Sequence, residues 1–156
     1  MKRTLTLLLT LSLALTLTSC SRKQSRTPFS PELPLQLLAS DAFSEPLEPL
    51  DIDIIWMLYG LDEVGLAPEQ LASASAYRSS GATCEELSLL VFSDEATAQT
   101  AANALDLYIG SQITANKDYR PAEIPKLENV FLERRGAAVL LMVANNYEST
   151  LALLSP

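Results

Sequence analysis

The sequence predicts an α+β domain in which a four-stranded antiparallel sheet, built from two hairpins, carries one long helix on one face. Two observations lead to this fold class. Four segments of strand length occur as two pairs, and a short turn separates the members of each pair. Between the pairs, apolar residues recur every three or four positions, as they do in an amphipathic helix. Strands joined by short turns form antiparallel hairpins, and a sheet and a helix bury each other's apolar surfaces.

The predicted element order is α-β-β-α-β-β, followed by a short helix. The first helix ends at Tyr59, with Asp51 or Asp53 as its cap and Gly60 as the residue that stops it. The first hairpin joins strand Leu71–Ser79, in which apolar and small polar residues alternate, to a more apolar strand at 86–92.

The clearest helix in the sequence begins at Ser93 or Asp94 and runs to about residue 115. Acidic residues at its start suit the positive end of the helix dipole. Its apolar positions fall on one face, and the small residues among them predict close packing on the sheet; they are Ala98, Ala101, Ala102, Leu105, Ile109 and Ile113.

The second predicted hairpin follows a loop at 116–126 that contains Pro121 and Pro125. Its strands are 128–134 and 137–144, the turn lies at 135–136, and the continuous apolar run of the second strand is typical of a central strand. In the first of these strands, alternation places Val130 and Leu132 on one face and residues 131 and 133 on the other. Residues 147–154 are predicted to form the short final helix.

The N-terminus has the pattern of a bacterial lipoprotein signal. Lys2 and Arg3 precede an apolar run at 5–17, and the small pair at 18–19 precedes Cys20. The run is too short for a comfortable membrane span of about 20 apolar residues. Residues 1–19 are therefore predicted to be a signal peptide, and Cys20 the attachment point of a diacylglyceryl anchor. An ordinary signal peptide followed by a chance Cys is the alternative.

Residues 20–49 are predicted to be a tether, and residues 50–156 the folded domain. Five of the nine prolines lie in the tether, which favours extended backbone and a spacer of several nanometres, although 33–39 has the pattern of a turn or two of helix. Arg22, Lys23 and Arg26 lie next to the anchor, where they either contact anionic headgroups or are simply solvated.

The charge balance argues against a nucleic-acid partner. The net charge is −8, and it becomes −10 without the two basic residues of the signal peptide. Nine acidic residues and no basic one lie between Thr27 and Tyr77, whereas phosphate binding needs a positive face.

The absence of histidine excludes several catalytic chemistries. Ser-His-Asp and Cys-His catalysis, histidine metal sites and histidine proton switches all need a residue that this chain lacks. With Cys20 lipidated, Cys84 has no disulfide partner, and it is predicted to be a small packing residue. No enzymatic activity and no cofactor are expected.

Three groups of residues remain as candidate sites. Glu85 and Glu86 are adjacent carboxylates, but neighbours in a strand point to opposite faces, which argues against a shared acid–base site. Four acidic residues could converge on Ca²⁺, although capping explains the first two equally well; they are Asp51, Asp53, Asp62 and Glu63. Tyr119 and Arg120, with Glu85, form the candidate binding surface for a peptide or a glycan; anchoring of the loop is the alternative.

Four short segments carry a family resemblance. They are Leu-Tyr-Gly-Leu-Asp at 58–62, Gly-Ala-Thr-Cys-Glu-Glu-Leu at 81–87, Tyr-Arg-Pro at 119–121 and Pro-Lys-Leu-Glu-Asn at 125–129. In order and spacing they resemble the domain of unknown function 4358, found in small lipoproteins of clostridia-like bacteria, over residue 50 to the C-terminus. The resemblance implies an extracytoplasmic lipoprotein and no known active site. The chain departs from it at Cys84, where the family more often has a small non-thiol residue, and in its short final helix.

These observations predict a domain held by lipid on the extracytoplasmic face of the cell membrane, where it binds a protein or an envelope component. Two other functions stay open. One is a small-ligand carrier associated with a transporter, which requires a large pocket ringed by polar groups. The other is a carboxylate-dependent cell-wall hydrolase, which requires two acidic groups facing one cleft.

Overall fold

The computed structural model describes residues 27–155. The helices are α1 (Leu33–Leu38), α2 (Ile52–Leu58), α3 (Glu95–Asn116), α4 (Ile124–Glu128) and α5 (Leu151–Leu154), and short 3-10 turns lie at 68–70, 121–123 and 148–150. The strands are β1 (Leu47–Pro49), β2 (Leu71–Ser79), β3 (Glu86–Phe92), β4 (Phe131–Arg135) and β5 (Ala138–Val143). The predicted α+β class is confirmed.

The five strands form one antiparallel sheet in the order β1-β2-β3-β5-β4. Both predicted hairpins are present, and β3 pairs with β5 to join them, with Leu87 opposite Met142. The prediction of four strands is wrong, because β1 adds a fifth at the edge and pairs with residues 77–79 of β2. Pro49 cannot donate a ladder hydrogen bond, so this strand is tolerated only at an edge, and its proline hid it in the sequence.

Helices cover both faces of the sheet, whereas the sequence predicted a helix on one face only. In β5, residues 139, 141 and 143 join the core beneath α2 and α3, and residues 138, 140 and 142 join a second core beneath α1 and α5. Every residue of β5 is buried. Its continuous apolar run therefore reflects two covered faces as well as an interior position in the sheet.

The part of the predicted tether that the structure describes is folded. Phe29, Leu33, Leu37 and Ala42 are buried in the second core. The guanidinium of Arg135 lies 4.2 Å from the centre of the Phe29 ring. Burial of a large apolar side chain contributes about 1.5–3 kcal/mol, which is enough to hold a short proline-containing segment in place. The folded domain therefore begins more than twenty residues before the predicted start at residue 50.

Helix α3 agrees closely with its prediction. The Asp94 side chain caps it by accepting a hydrogen bond from the Thr97 backbone N–H at 2.8 Å. The helix ends at Asn116, and its buried side chains, which include Ala98, Ala101 and Leu105, face the sheet as expected.

The segment between α3 and β4 differs from its prediction. Residues 116–126 were expected to be a loop, but Pro121 and Pro125 each stand at the start of a helical turn, where the missing N–H costs nothing. Glu128 consequently ends α4 and does not begin a strand, so β4 starts at Phe131. The predicted alternation is confirmed, since Leu132 contacts the α3 core and Phe131 the opposite one.

Candidate functional site

A buried carboxyl group lies at the centre of the α2–α3 side of the sheet. Glu86 begins β3 and is almost completely buried. Tyr108 of α3 donates a hydrogen bond to its Oε2 at 2.7 Å, and Tyr59, directly after α2, donates one to its Oε1. The Tyr59 hydroxyl also contacts the Ser88 hydroxyl, and Arg78 Nε lies 3.6 Å from Glu86 Oε2. One side chain of the sheet is thus tied to both helices above it.

Burial dominates the protonation of this cluster. It raises the pKa of Glu86 above the ordinary 4.5, although the two tyrosine hydrogen bonds and the charge of Arg78 act in the opposite direction. Burial, together with the nearby Glu86 carboxyl, also raises the pKa values of Tyr59 and Tyr108. Both phenols therefore stay protonated and serve as permanent hydrogen-bond donors to Glu86.

The position of Tyr59 follows from the way α2 ends. Gly60 adopts a φ of 60°, and its N–H donates to the Met57 carbonyl, while the Leu61 N–H donates to the Trp56 carbonyl. These two bonds form a Schellman motif, for which glycine is the favoured residue. The predicted helix stop at Gly60 is confirmed. The turn directs the Tyr59 ring against Tyr108, with the ring centres 5.0 Å apart in an edge-to-face arrangement.

A cleft lies between α2 and α3 above these two tyrosines. Its volume is about 230 Å³, and Tyr59 and Tyr108 contribute to its lining. Three apolar side chains at the cleft are exposed to solvent: Met57 by 72%, Leu107 by 70% and Val64 by 37%. Single exposed apolar residues are common, but a group around a concave site is typical of an interaction surface. We call this site the α2–α3 cleft.

Glu85 lies on the opposite side of the sheet from Glu86. It is fully buried and accepts hydrogen bonds from the Ser44 backbone N–H at 2.8 Å, the Ser44 hydroxyl at 2.6 Å and Lys126 Nζ at 2.9 Å. Two adjacent carboxylates thus point in opposite directions, as strand geometry predicts. Glu85 was expected to belong to a binding surface with Tyr119 and Arg120. That part of the prediction is corrected, because its carboxylate is enclosed and fixes the 43–45 segment to the sheet.

The other two residues of the predicted binding surface, Tyr119 and Arg120, have different environments. Tyr119 is 87% exposed at the end of α3. Arg120 donates a hydrogen bond from its guanidinium to the Thr83 carbonyl at 3.2 Å, so it anchors the loop, which was the alternative interpretation. The structure therefore does not bring Tyr119, Arg120 and Glu85 together on one surface.

Cys84 is buried in the core on the α2–α3 side, as predicted for a packing residue. Burial raises the pKa of its thiol, and the nearby Arg120 opposes that change only in part. The Cys84 backbone N–H donates to Glu123 at 2.9 Å, and Glu123 also pairs with Lys126 at 3.1 Å. A thiol of this kind is less nucleophilic than an exposed one at neutral pH.

The acidic residues considered for Ca²⁺ do not form a cluster. Within residues 27–155, no three His, Cys, Asp or Glu side chains are arranged to hold a metal ion. Asp51 occupies the N-cap position of α2, but its side chain makes no capping hydrogen bond. Asp53, Asp62 and Glu63 are exposed.

The predicted lipid attachment at Cys20 lies outside the described residues, as does the predicted signal peptide at 1–19. In the part of the chain that the structure describes, no helix has the length and apolarity needed to cross a membrane.

The link from Glu86 to Tyr59 and Tyr108 was missed in the sequence. Two signals point to it in retrospect. Tyr108 follows Leu105 by three residues and so shares the buried face of α3. A glutamate at the start of an apolar strand needs hydrogen-bond donors, and a buried phenol needs an acceptor.

Comparison with known proteins gives no match to a family model, to a curated protein or to a solved structure. The resemblance of the four segments at 58–62, 81–87, 119–121 and 125–129 therefore stays a prediction.

Proposed function

We propose that this chain is a binding module of the cell envelope, anchored by lipid on the extracytoplasmic face of the cell membrane, and that it contacts a protein or envelope component through the α2–α3 cleft. The observation that carries the binding proposal is the group of exposed apolar side chains around the cleft, Met57, Val64 and Leu107. The sequence pattern ending at Cys20 supports the anchor.

Two structural features make this function more favourable than its alternatives. The α2–α3 cleft, with a volume of about 230 Å³, is below the roughly 300–1,000 Å³ of typical small-molecule pockets, which weighs against this cleft as the pocket of a ligand carrier. Glu85 and Glu86 point to opposite faces of the sheet, so they do not form the facing pair that a carboxylate-dependent hydrolase would use. A cleft of this size, with exposed apolar side chains beside it, suits one or two anchoring side chains of a larger partner.

Metabolic labelling tests the anchor. Cells that express the full chain are grown with an alkyne-tagged fatty acid, and the purified protein is examined for the tag. We expect the wild-type protein to be labelled and the Cys20→Ser variant to be unlabelled, while Cys84→Ser keeps the label. Labelling of Cys20→Ser would contradict the anchor without affecting the binding proposal.

Site-specific photo-crosslinking in living cells tests the binding surface. A photoreactive residue replaces Leu107 in the cleft or, as a matched control, Leu35 on α1, which is 63% exposed on the other side of the sheet. We expect a discrete crosslinked species with the probe at 107 and none at 35. Equal crosslinking at both positions would contradict a specific surface at the cleft.

A further inference from the structure

We infer that the α2–α3 cleft receives a cationic amphipathic segment of a partner protein, whose apolar side chains enter the cleft while Lys or Arg residues lie along its rim. This inference rests on the proposed binding function and adds the chemistry of the partner. It is argued from the acidic residues beside the cleft, its exposed apolar side chains and the side of the sheet on which the first described residues lie.

One acidic residue and no basic one line the cleft. From residue 50 to residue 70, and throughout α3, the chain contains no Lys or Arg. Glu63 lines the cleft itself. Asp53 lies one helical turn before Met57 on α2 and is exposed. A positively charged segment would therefore meet complementary charge on the Glu63 side of the cleft and no opposing charge among the lining residues, which speeds and orients association.

The apolar residues of the cleft supply the contact itself. Met57 on α2 and Leu107 on α3 stand on opposite walls, and the buried rings of Tyr59 and Tyr108 lie between them. Methionine adapts its shape to different partners, while the tyrosines are fixed by their bonds to Glu86. The floor of the cleft is thus rigid, and its rim can adjust to side chains spaced along one face of a helix.

The first described residues, from Thr27 onward, do not occupy the cleft. Phe29 and α1 lie on the opposite side of the sheet, so the first described residues leave the domain away from the cleft. An anionic lipid surface is a poor occupant, because the acidic rim would be repelled by it. A second copy of this chain would bring two acidic rims together, which is equally unfavourable.

The test uses two designed helical peptides of about 18 residues, five turns long, as probes. One carries leucine on one face and lysine on the other, and the second carries leucine and glutamate. Binding to the full-length Cys20→Ser chain is followed through the backbone amide signals in NMR spectra. We expect the leucine–lysine peptide to shift the signals of Met57, Val64 and Leu107, and to bind at least tenfold more tightly than the leucine–glutamate peptide.

Variants separate the cleft from general attraction to an acidic protein. Leu107→Ala and Glu63→Lys should each lower the affinity for the leucine–lysine peptide at least fivefold. Leu35→Ala should leave this affinity unchanged. Equal binding of both peptides at the cleft would overturn the cationic partner and leave the proposed function standing. Shifts that map to residues outside the cleft, or a self-association that Leu107→Ala abolishes, would overturn the inference, and the first of these would also count against the proposed surface.

Discussion

The hydroxyl of Tyr108 donates a hydrogen bond to the buried carboxyl of Glu86 at 2.7 Å, and this bond ties the long helix to an interior strand of the sheet. Tyr59 makes the matching bond from α2. The two phenols that form the floor of the cleft are therefore held by one side chain of β3. Changes to this cluster should alter both the stability of the domain and the shape of the cleft.

Removal of the Tyr108 hydroxyl should destabilise the fold. Tyr108→Phe keeps the ring but leaves one oxygen of Glu86 with less hydrogen bonding in the interior, which costs about 1–3 kcal/mol. Urea unfolding followed by circular dichroism measures the change. Tyr119→Phe is the control, since Tyr119 is 87% exposed, and it should be neutral. Equal stability of the two variants would show that the buried bond contributes nothing.

Protonation of Glu86 should make the free energy of unfolding depend on pH. Burial raises its pKa above 4.5, so the folded state holds a proton that the unfolded state releases. The stabilisation is fully present below about pH 4.5 and is lost as the pH rises through the folded-state pKa. Asp94, whose pKa is lowered by the backbone N–H of Thr97, acts in the opposite direction and only at more acidic pH.

Glu86→Gln should remove the contribution of Glu86 to the pH dependence of stability. Urea unfolding between about pH 5 and pH 8 should show a smaller loss of stability with rising pH in the variant than in the wild-type protein. Arg78, Tyr59 and Tyr108 face the same carboxyl, and burial raises the pKa values of both tyrosines above their ordinary 10, so neither tyrosine titrates in this range. If the variant and the wild-type protein lose stability equally as the pH rises, groups other than Glu86 cause the pH dependence.

Loss of the Lys126 charge should be costly because it leaves Glu85 enclosed without its cation. Lys126 Nζ lies 2.9 Å from Glu85 Oε1, and removal of one partner of a buried pair costs about 3–5 kcal/mol. Because water has some access to Lys126, we expect Lys126→Met to lower the free energy of unfolding by about 3 kcal/mol, the lower end of this range. The double variant with Glu85→Gln should recover part of the loss in urea unfolding. Simple addition of the two single effects would contradict a direct coupling.

The folded N-terminal segment can be tested through Phe29. Phe29→Ala should destabilise the domain by about 3 kcal/mol, because the ring is buried in the second core and contacts Arg135. Leu35→Ala is the matched control, since Leu35 belongs to the same segment but is exposed. The midpoint temperatures of thermal unfolding should differ by several degrees between the two variants. Identical midpoints would contradict a folded N-terminal segment and support the predicted tether.

The elements that the sequence predicted well are those whose signals all lie within one continuous stretch of the chain. Helix α3 has a cap at Asp94 and a continuous buried face, and the two hairpins have short turns between apolar strands. The second layer of helices was not predictable in this way. Helix α1 has six residues, and its role depends on contacts with β3 and α5, which are far away in sequence.

The site was harder to predict than the fold because its members come from separate elements. Glu86 lies 22 residues from Tyr108 and 27 from Tyr59, and no local pattern connects them. Glu85 and Arg120 were named for their polar character, yet both fix loops to the sheet. Buried polar residues are nearly always hydrogen-bonded inside the protein, and only the fold distinguishes this role from contact with a ligand.

The burial of Phe29 sets how far the domain can extend from its proposed anchor. Six residues lie between Cys20 and Thr27, the first described residue, and even a fully stretched chain over these seven Cα–Cα steps spans only about 25 Å. A protein held at Cys20 would thus work close to the bilayer surface and could not sample the depth of the envelope. Its partner would have to come to the membrane, or be embedded in it, to reach the cleft.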